Sequence, residues 1–252
     1  MIKVENIYYR INQREILKNI SLCVDMHEIR AVIGESGSGK TTLLRLLAAL
    51  LIPTEGKVLF EENDLITFST HLIKGHSDIK LVAQDFSLFP NLSVSENIAY
   101  SIRNFKKDYV AERLNVLLKL MGLETIKDAL PKNISGGEKQ RTAIAKAIAD
   151  EPKVLLLDEP FSQLDSINKA RLKASLKALV RNENIACVFV THDMIDALTF
   201  SDKYLVLRNG TMVGKGKIQN LFSSQDAYIQ EFVTEAILPM LSLVDKLKLN
   251  QK

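Results

Sequence analysis

Residues 34–41 read GESGSGKT, and this octapeptide constrains the chain more than any other stretch. It fits the pattern G-x-x-x-x-G-K-[ST]. Before it lies the short apolar run Ile29–Ile33; after it, Lys40–Leu51 reads as a helix stopped by Pro53. A strand, a glycine-rich turn and a helix in that order can cradle phosphate. Gly34, Gly37 and Gly39 let the backbone turn so that successive N–H groups point at phosphate oxygens. The helix N-terminus adds its positive end. Lys40 is placed to reach β- and γ-phosphates, and the Thr41 hydroxyl to ligate Mg²⁺. The competing reading, a turn that only caps a helix, is weakened by the strand and helix on either side.

The rest of the chain alternates as an α/β fold requires. Residues 2–8 and 16–24 read as early strands, as do Lys57–Phe60 and Ile79–Ala83. Residues 94–121 carry two amphipathic helical patterns with no strand between them, and Ser93 with Glu96 forms a capping box. Glu138–Ala149, Arg171–Val180 and Asp193–Phe200 read as helices. Val154–Leu157 and Ile185–Val190 are wholly apolar, as suits parallel strands buried on both faces. YLVLR and TMVGK flank Asn209-Gly210, a strong hairpin signal. The expected fold is α/β with a mostly parallel core sheet, an N-terminal antiparallel β-subdomain and a helical insertion at about 86–135. Residues 236–252 read as a helical tail, with Ile237, Leu241, Val244 and Leu247 on one stripe and packing on the core as its default role.

Composition excludes several classes. With 46% hydrophobic and 25% charged residues in 252, the chain is of ordinary globular type rather than disordered. Its longest apolar candidate, Leu43–Ile52, is too short to span a bilayer and contains Arg45. The N-terminal MIKVENIYYR has no apolar signal core, which predicts no secretion. A net charge of +3 is too small to point to nucleic acid. Cys23 and Cys187 sit in apolar runs and read as small buried hydrophobes in a reducing compartment.

Two further stretches carry chemistry. VLLLDEP (154–160) puts Asp158 at the end of a buried strand, where a carboxylate can hold Mg²⁺, and Glu159 next to it, where it can polarise a water. Alone, Asp-Glu before a proline is equally a helix cap; together with the phosphate loop it is not. ISGGEKQR (134–141) contains a second capping box, Ser135 with Glu138, but two adjacent glycines at a helix start are costly unless something approaches the backbone. An anion is the obvious visitor, although taken alone the stretch is more often a cap than a site.

In order along the chain, GESGSGKTT, Gln84 in VAQDFSLFP, ISGGEKQR, VLLLDEP with SQLD (162–165), and His192 in VFVTHD resemble the motifs of the ATP-binding cassette (ABC) family over residues 1–235. They look like Walker A, the Q-loop, the signature (usually LSGGQ, with Ile134 and Glu138 as departures), Walker B with the D-loop, and the switch histidine. The resemblance implies a P-loop ATPase that binds ATP and Mg²⁺. Gly34, Glu35, Ser36, Gly37, Ser38, Gly39, Lys40, Thr41 and Thr42 would line the nucleotide. Thr41, Gln84 and Asp158 would serve the metal, and Glu159, His192, Gln84 and Lys40 would serve hydrolysis. Ser135, Gly136, Gly137, Glu138 and Asp165 would act on the ATP of a second cassette, so each ATP would lie between two subunits. The family usually stacks adenine on an aromatic residue; here that position falls at about Ile11, with Tyr9 close by. His27, His71 and His76 read as loop or surface residues.

The resemblance further implies the ATPase subunit of a membrane transporter, importer-like in QDFSLFPNLSVSENI. It would pair with a second cassette, identical or different, with separate transmembrane permease subunits and with a solute-binding protein, and not with nucleic acid. It would be cytoplasmic, held peripherally on the inner face of the cell membrane by its permease. Phe86, Leu88, Phe89 and Leu92 supply apolar groups for a docking groove or for the core. The alternatives are an exporter or lipoprotein-release ATPase, and a soluble cassette assisting iron–sulfur cluster assembly; DEPFSQLD in place of a DEPDSGLD-like stretch counts against the last. A phosphate-loop kinase would leave ISGGE and His192 without a role.

Overall fold

Strands that are apolar on every residue need cover on both faces, and the fold supplies it. The computed structural model describes residues 1–65 and 75–236. The chain begins with β1 (Ile2–Ile11) and β2 (Arg14–Val24), then β3 (Ile29–Ile33), α1 (Lys40–Leu47), β4 (Glu55–Phe60), β5 (Asn63–Asp64) and β6 (Ile79–Val82). Next come α2 (Val94–Ala99), α3 (Lys107–Met121) and α4 (Gly136–Ile148), with no strand among the described residues between Val82 and Val154. The alternation resumes with β7 (Val154–Asp158), α5 (Ser166–Asn182), β8 (Ala186–Thr191), α6 (Met194–Phe200), β9 (Lys203–Arg208) and β10 (Thr211–Lys217). Residues 227–236 form a final described helix, α7.

Among the described residues the strand order is β5-β4-β1-β2-β10-β9-β3-β8-β7-β6. From β9 to β6 every neighbouring pair is parallel. From β5 to β2 every pair is antiparallel. The two parts meet at one bridge pair, Thr211 with Lys18. This is the α/β architecture expected, a parallel core beside an N-terminal antiparallel sheet.

Alternation along the core strands feeds two separate apolar clusters. Ile29, Ala31, Ile33, Leu155, Leu157, Cys187 and Phe189 point into one, with α2, α3 and α4. Val32, Val154, Leu156, Ala186, Val188 and Val190 point into the other, with α1, β1 and β2. The helices inserted after β6 are tied down by Arg113. Its guanidinium is bidentate to Glu183 at 2.7 and 2.9 Å and donates to the Ile148 and Ala149 carbonyls at 2.8 and 3.3 Å, so α3 holds the C-terminal ends of both α4 and α5.

Element ends depart from the periodicity for local reasons. α1 stops at Leu47 rather than Leu51, because Ala49 turns left-handed (φ 56°) and the Leu50 N–H reaches back to Arg45 O at 2.9 Å. α5 begins five residues earlier than its apolar stripe, because Asp165 accepts from the N–H groups of Ile167 and Asn168 and caps it. Both residues of Asn209-Gly210 have positive φ (49° and 76°), as a two-residue hairpin turn demands. Cys187 is fully buried, but Cys23 is only half-buried, since it lies on the outward face of β2 between the buried Leu22 and Val24. His27 Nδ1–H donates to Arg181 O at 2.9 Å, and His76 packs edge-on against Phe60 at 5.0 Å. His71 and the apolar stripe of the 236–252 tail, Ile237 onward, lie outside the described residues.

Candidate active site

The phosphate loop connects β3 to α1 at the carboxyl end of the parallel sheet, where α/β folds place ligands. Gly39 (φ 103°) precedes α1 without a side-chain cap, which leaves the helix N–H groups open to an anion. A Cβ on Gly34 would overlap Leu207 O of β9, so only glycine lets the loop pass that close. The hairpin tip braces the loop from outside, with the Gly210 N–H donating to Ser38 O at 3.1 Å. Lys40 folds inward, and its Nζ donates to Gly34 O and Glu35 O, each at 2.8 Å. Burial pulls its pKa below the ordinary lysine value, against the opposing pull of Glu159, Asp158 and Glu35. Ser38 Oγ is buried with no hydrogen-bond partner among the described residues, an orphan that a phosphate oxygen would satisfy. Glu35, Ser36 and Thr41 are exposed around the rim and Thr42 is half-buried.

Asp158 closes β7 and is 8% exposed. The Thr41 hydroxyl donates to its Oδ1 at 3.4 Å, a long contact that leaves room between two hard oxygen donors. Burial pushes the Asp158 carboxyl above its ordinary pKa, with the Thr41 hydrogen bond opposing. A divalent cation would reverse that burial penalty, so Thr41 and Asp158 fit Mg²⁺. Glu159 takes a left-handed backbone (φ 50°), uncommon for a non-glycine residue and frequent at functional sites. Four bonds hold its backbone there: its N–H donates to Val190 O at 3.2 Å, and its carbonyl accepts from Gln140 Nε2 at 3.0 Å, from Ser162 Oγ at 3.1 Å and from the Ser162 N–H at 3.3 Å. Since β7 and β8 are parallel neighbours, the residues that follow them stand side by side, and His192 Nδ1 lies 2.8 Å from Glu159 Oε1. The pair lines a cavity of about 200 Å³ with Ser162, Lys169, Thr191 and Asp193.

The structure therefore gathers Lys40, Thr41, Asp158, Glu159 and His192 at the ends of β3, β7 and β8. Gln84 is exposed two residues beyond Val82, whose partner in the next strand is Leu157. It makes no hydrogen bond to Asp158 or Glu159 among the described residues. The segment after it is shaped by Asn97, a fully buried amide that accepts from Phe89 N at 2.8 Å and donates to the carbonyls of Phe89, Leu92 and Ser93 at 2.9–3.1 Å. Phe86 and Leu88 pack on the core from this segment, while Phe89 is more exposed and lies under the Lys146 ammonium at 3.9 Å.

Ser135 and Glu138 form the expected capping box at α4. What approaches the two glycines is the chain's own 162–165 segment. A Cβ on Gly136 would overlap Gln163 Oε1, and one on Gly137 would lie 2.7 Å from Leu164 Cδ2. The glycines thus have a packing reason that needs no anion, beside whatever docks on the exposed Ser135. Asp165 is exposed and spent locally on capping α5. α1 buries Leu43, Leu44, Leu46 and Leu47 in one core cluster and α4 buries Ala143, Ile144, Ala145 and Ile148 in the other. The phosphate loop and the ISGGE cap consequently start helices on opposite faces of the sheet. Ile11 is half exposed at the β1–β2 turn, whereas Tyr9 packs against the second cluster.

Gln140, Asn97 and Lys169 were not singled out from the sequence. Gln140 carried one signal, a polar residue on the buried stripe of α4.

Comparison with known proteins agrees with this geometry. The family model described as "ABC transporter" matches residues 17–162. The Fe(3+) ions import ATP-binding protein FbpC of Brucella abortus is 38% identical over 235 residues, covering 92% of this chain and 65% of its own; the chain thus spans just under two thirds of that relative's length. The probable sulfate/thiosulfate import ATP-binding protein CysA of Chlorella vulgaris is 40% identical over 222 residues, covering 87% of this chain and 92% of its own. Among solved structures, a dimeric post-hydrolysis ATP-binding cassette bound to ADP and Pi matches with a TM-score of 0.76 at 29% identity, over 86% of this chain and 99% of that one.

Proposed function

The chain belongs to the ABC transporter family, and from that premise we propose that it is the ATP-binding and ATP-hydrolysing subunit of an importer, working as a pair of cassettes around two ATP. The observation that carries the reading is the Glu159–His192 pair, 2.8 Å apart beside the phosphate loop. The relatives' names, which are of import proteins, support import over export or cluster assembly.

In this reading ATP enters over Gly34–Thr42. Lys40 leaves the Gly34 and Glu35 carbonyls for the β- and γ-phosphates, and Ser38 Oγ gains a phosphate partner. Thr41 and Asp158, with Gln84, would hold Mg²⁺, which would supply charge neutralisation on the phosphates. Glu159 accepts a proton from water as the water oxygen bonds to the γ-phosphorus and the bond to the β-phosphate oxygen breaks. His192 holds Glu159 and the γ-phosphate in line. Because the ISGGE cap lies on the opposite face of the sheet, Ser135, Gly136, Gly137 and Glu138 act on the ATP of the second cassette, with Asp165 crossing the same interface. The dimeric structural relative supports an identical chain as that partner. Ile11 offers the exposed apolar face for the adenine.

Separate permease subunits and a solute-binding protein complete the transporter and select the solute, and the chain sits on the inner face of the membrane through them. No helix among the described residues is long and apolar enough to cross a membrane. The experiment is twofold. Detergent extraction with a tagged chain should bring down a multi-span membrane protein, and Glu159→Gln should retain ATP binding while turnover collapses. A purely soluble partner set would remove the transport reading, and near-normal turnover in Glu159→Gln would remove Glu159 as the base.

A further inference from the structure

Between α5 and α6 lies a closed network of two cations and two carboxylates. Lys169 Nζ is 3.4 Å from Asp193 Oδ2 and 3.1 Å from Asp196 Oδ1. Asp196 is 4% exposed and also takes Lys173 Nζ at 2.8 Å; Lys173 in turn donates to Thr199 Oγ1 at 2.6 Å. Asp193 directly follows His192, and its Oδ1 caps α6 through the N–H groups of Ile195 and Asp196 at 2.8 and 3.2 Å. The imidazole itself is mostly exposed, so its placement against Glu159 depends on the backbone corner between β8 and α6. Lys169 lines the same cavity as Glu159 and His192. Its N–H also donates to Asp165 O at 2.8 Å, one helical turn back.

We propose that Lys169 is a positioning residue for hydrolysis: through Asp193 and Asp196 it fixes the corner that carries His192 against Glu159, and it ties that corner to the 162–165 segment. The inference rests on the reading of Glu159 and His192 as the hydrolytic pair. A second cassette docking on Asp165 then bears on the same helical turn that holds His192 in place. Burial disfavours the Lys169 cation, but Asp196 and Asp193 outweigh it and raise its pKa, so the charge persists at neutral pH. Without Lys169, Asp196 keeps Lys173, so no buried carboxylate is stripped of its partner and the fold survives.

The test compares kcat, KM for Mg-ATP and Tm of the full chain with Lys169→Gln, Lys169→Arg, Asp193→Asn and, as a charge control, Lys177→Met, which lies further along the same face of α5. Lys169→Gln should lower kcat about tenfold to a hundredfold with KM within about twofold, the mark of lost alignment rather than lost binding. Lys169→Arg should restore most of it, Asp193→Asn should match Lys169→Gln, and Lys177→Met should behave as wild type. On a His192→Ala background Lys169→Gln should add less than about twofold. If Glu159→Gln abolishes turnover while Lys169→Gln leaves kcat intact, or if the Lys169 and His192 losses simply multiply, the inference is overturned and the functional reading stands. A wild-type chain with no ATP turnover overturns both.

Discussion

Gly136→Ala separates folding from function at the ISGGE cap. Gly136 and Gly137 open α4 with ordinary helical backbone, since neither has a positive φ. Alanine is favoured over glycine in a helix interior by about 0.5–1 kcal/mol, and somewhat less at a first turn. At 136 the added methyl overlaps Gln163 Oε1, the free end of an exposed side chain that swings away at small cost. The net effect on folding is a stability change between about 0 and +1 kcal/mol. At 137 the methyl meets Leu164 Cδ2 at 2.7 Å and the Gln163 main-chain oxygen at 3.2 Å, which a rotamer change does not relieve. Overpacking of that kind costs about 1–3 kcal/mol. On the proposed reading, the Gly136 methyl also stands between the α4 N–H groups and the second cassette's γ-phosphate. Turnover should then fall about a hundredfold, the scale of losing one donor aimed at developing charge. Urea unfolding followed by circular dichroism and a steady-state ATPase assay read the two quantities on one preparation. If Gly136→Ala loses more than about 2 kcal/mol, the Gln163 contact is structural and the conformational reasoning is wrong. If it keeps full turnover, the cap faces no phosphate.

Three other outcomes follow from the same geometry. Because burial raises the Asp158 carboxyl, ionising it opposes folding: the penalty is absent below the ordinary value of 3.8 and complete above the folded one. Asp158→Asn should therefore raise Tm at neutral pH, with a gain that shrinks toward about pH 4 while ATP turnover is lost; thermal scans across pH showing no gain would contradict this. Phe189 is fully buried and edge-on to Phe161 and Phe200 at 6.0 and 5.0 Å, directly beneath the Glu159 loop. Phe189→Ala should cost about 3–5 kcal/mol in denaturant unfolding, and a loss under about 1 kcal/mol would mean the cluster repacks freely. Ile11→Tyr adds a stacking face at the half-exposed hairpin turn and should tighten ATP binding by about fivefold or more, measured by equilibrium titration, whereas Tyr9→Phe should change nothing.

The parts of this molecule that could be read from its sequence are those whose cause is local. Ile29–Ile33 reads as a strand because four of its five residues are apolar, and its two faces enter two different cores, with the buried Arg30 paired to Glu28. Asn209-Gly210 reads as a hairpin because both positions need left-handed backbone. Both capping boxes lie within four residues, and both formed. The phosphate loop and the acidic strand end were recognisable for the same reason, a short pattern whose chemistry demands those residue types. Long-range side-chain partnerships left no such trace. Nothing near Gly136 announces that Gln163 will lie over it. Asn97 resembles any helical asparagine until its four backbone bonds close around Phe89–Ser93. Lys169 matters through carboxylates that follow it by more than twenty positions. Helix ends depart from the periodicity where a local backbone turn intervenes, as at the left-handed Ala49.

On the proposed reading, the phosphate loop and the ISGGE cap serve one ATP only across two chains. Sedimentation equilibrium of Glu159→Gln with and without Mg-ATP tests it most directly, with Ser135→Arg in the same background as the interface control. The expected result is a monomer without nucleotide, a dimer holding two ATP with it, and a monomer that still binds ATP when Ser135 is replaced. A chain that saturates with ATP yet stays monomeric, or a dimer indifferent to Ser135→Arg, would contradict it.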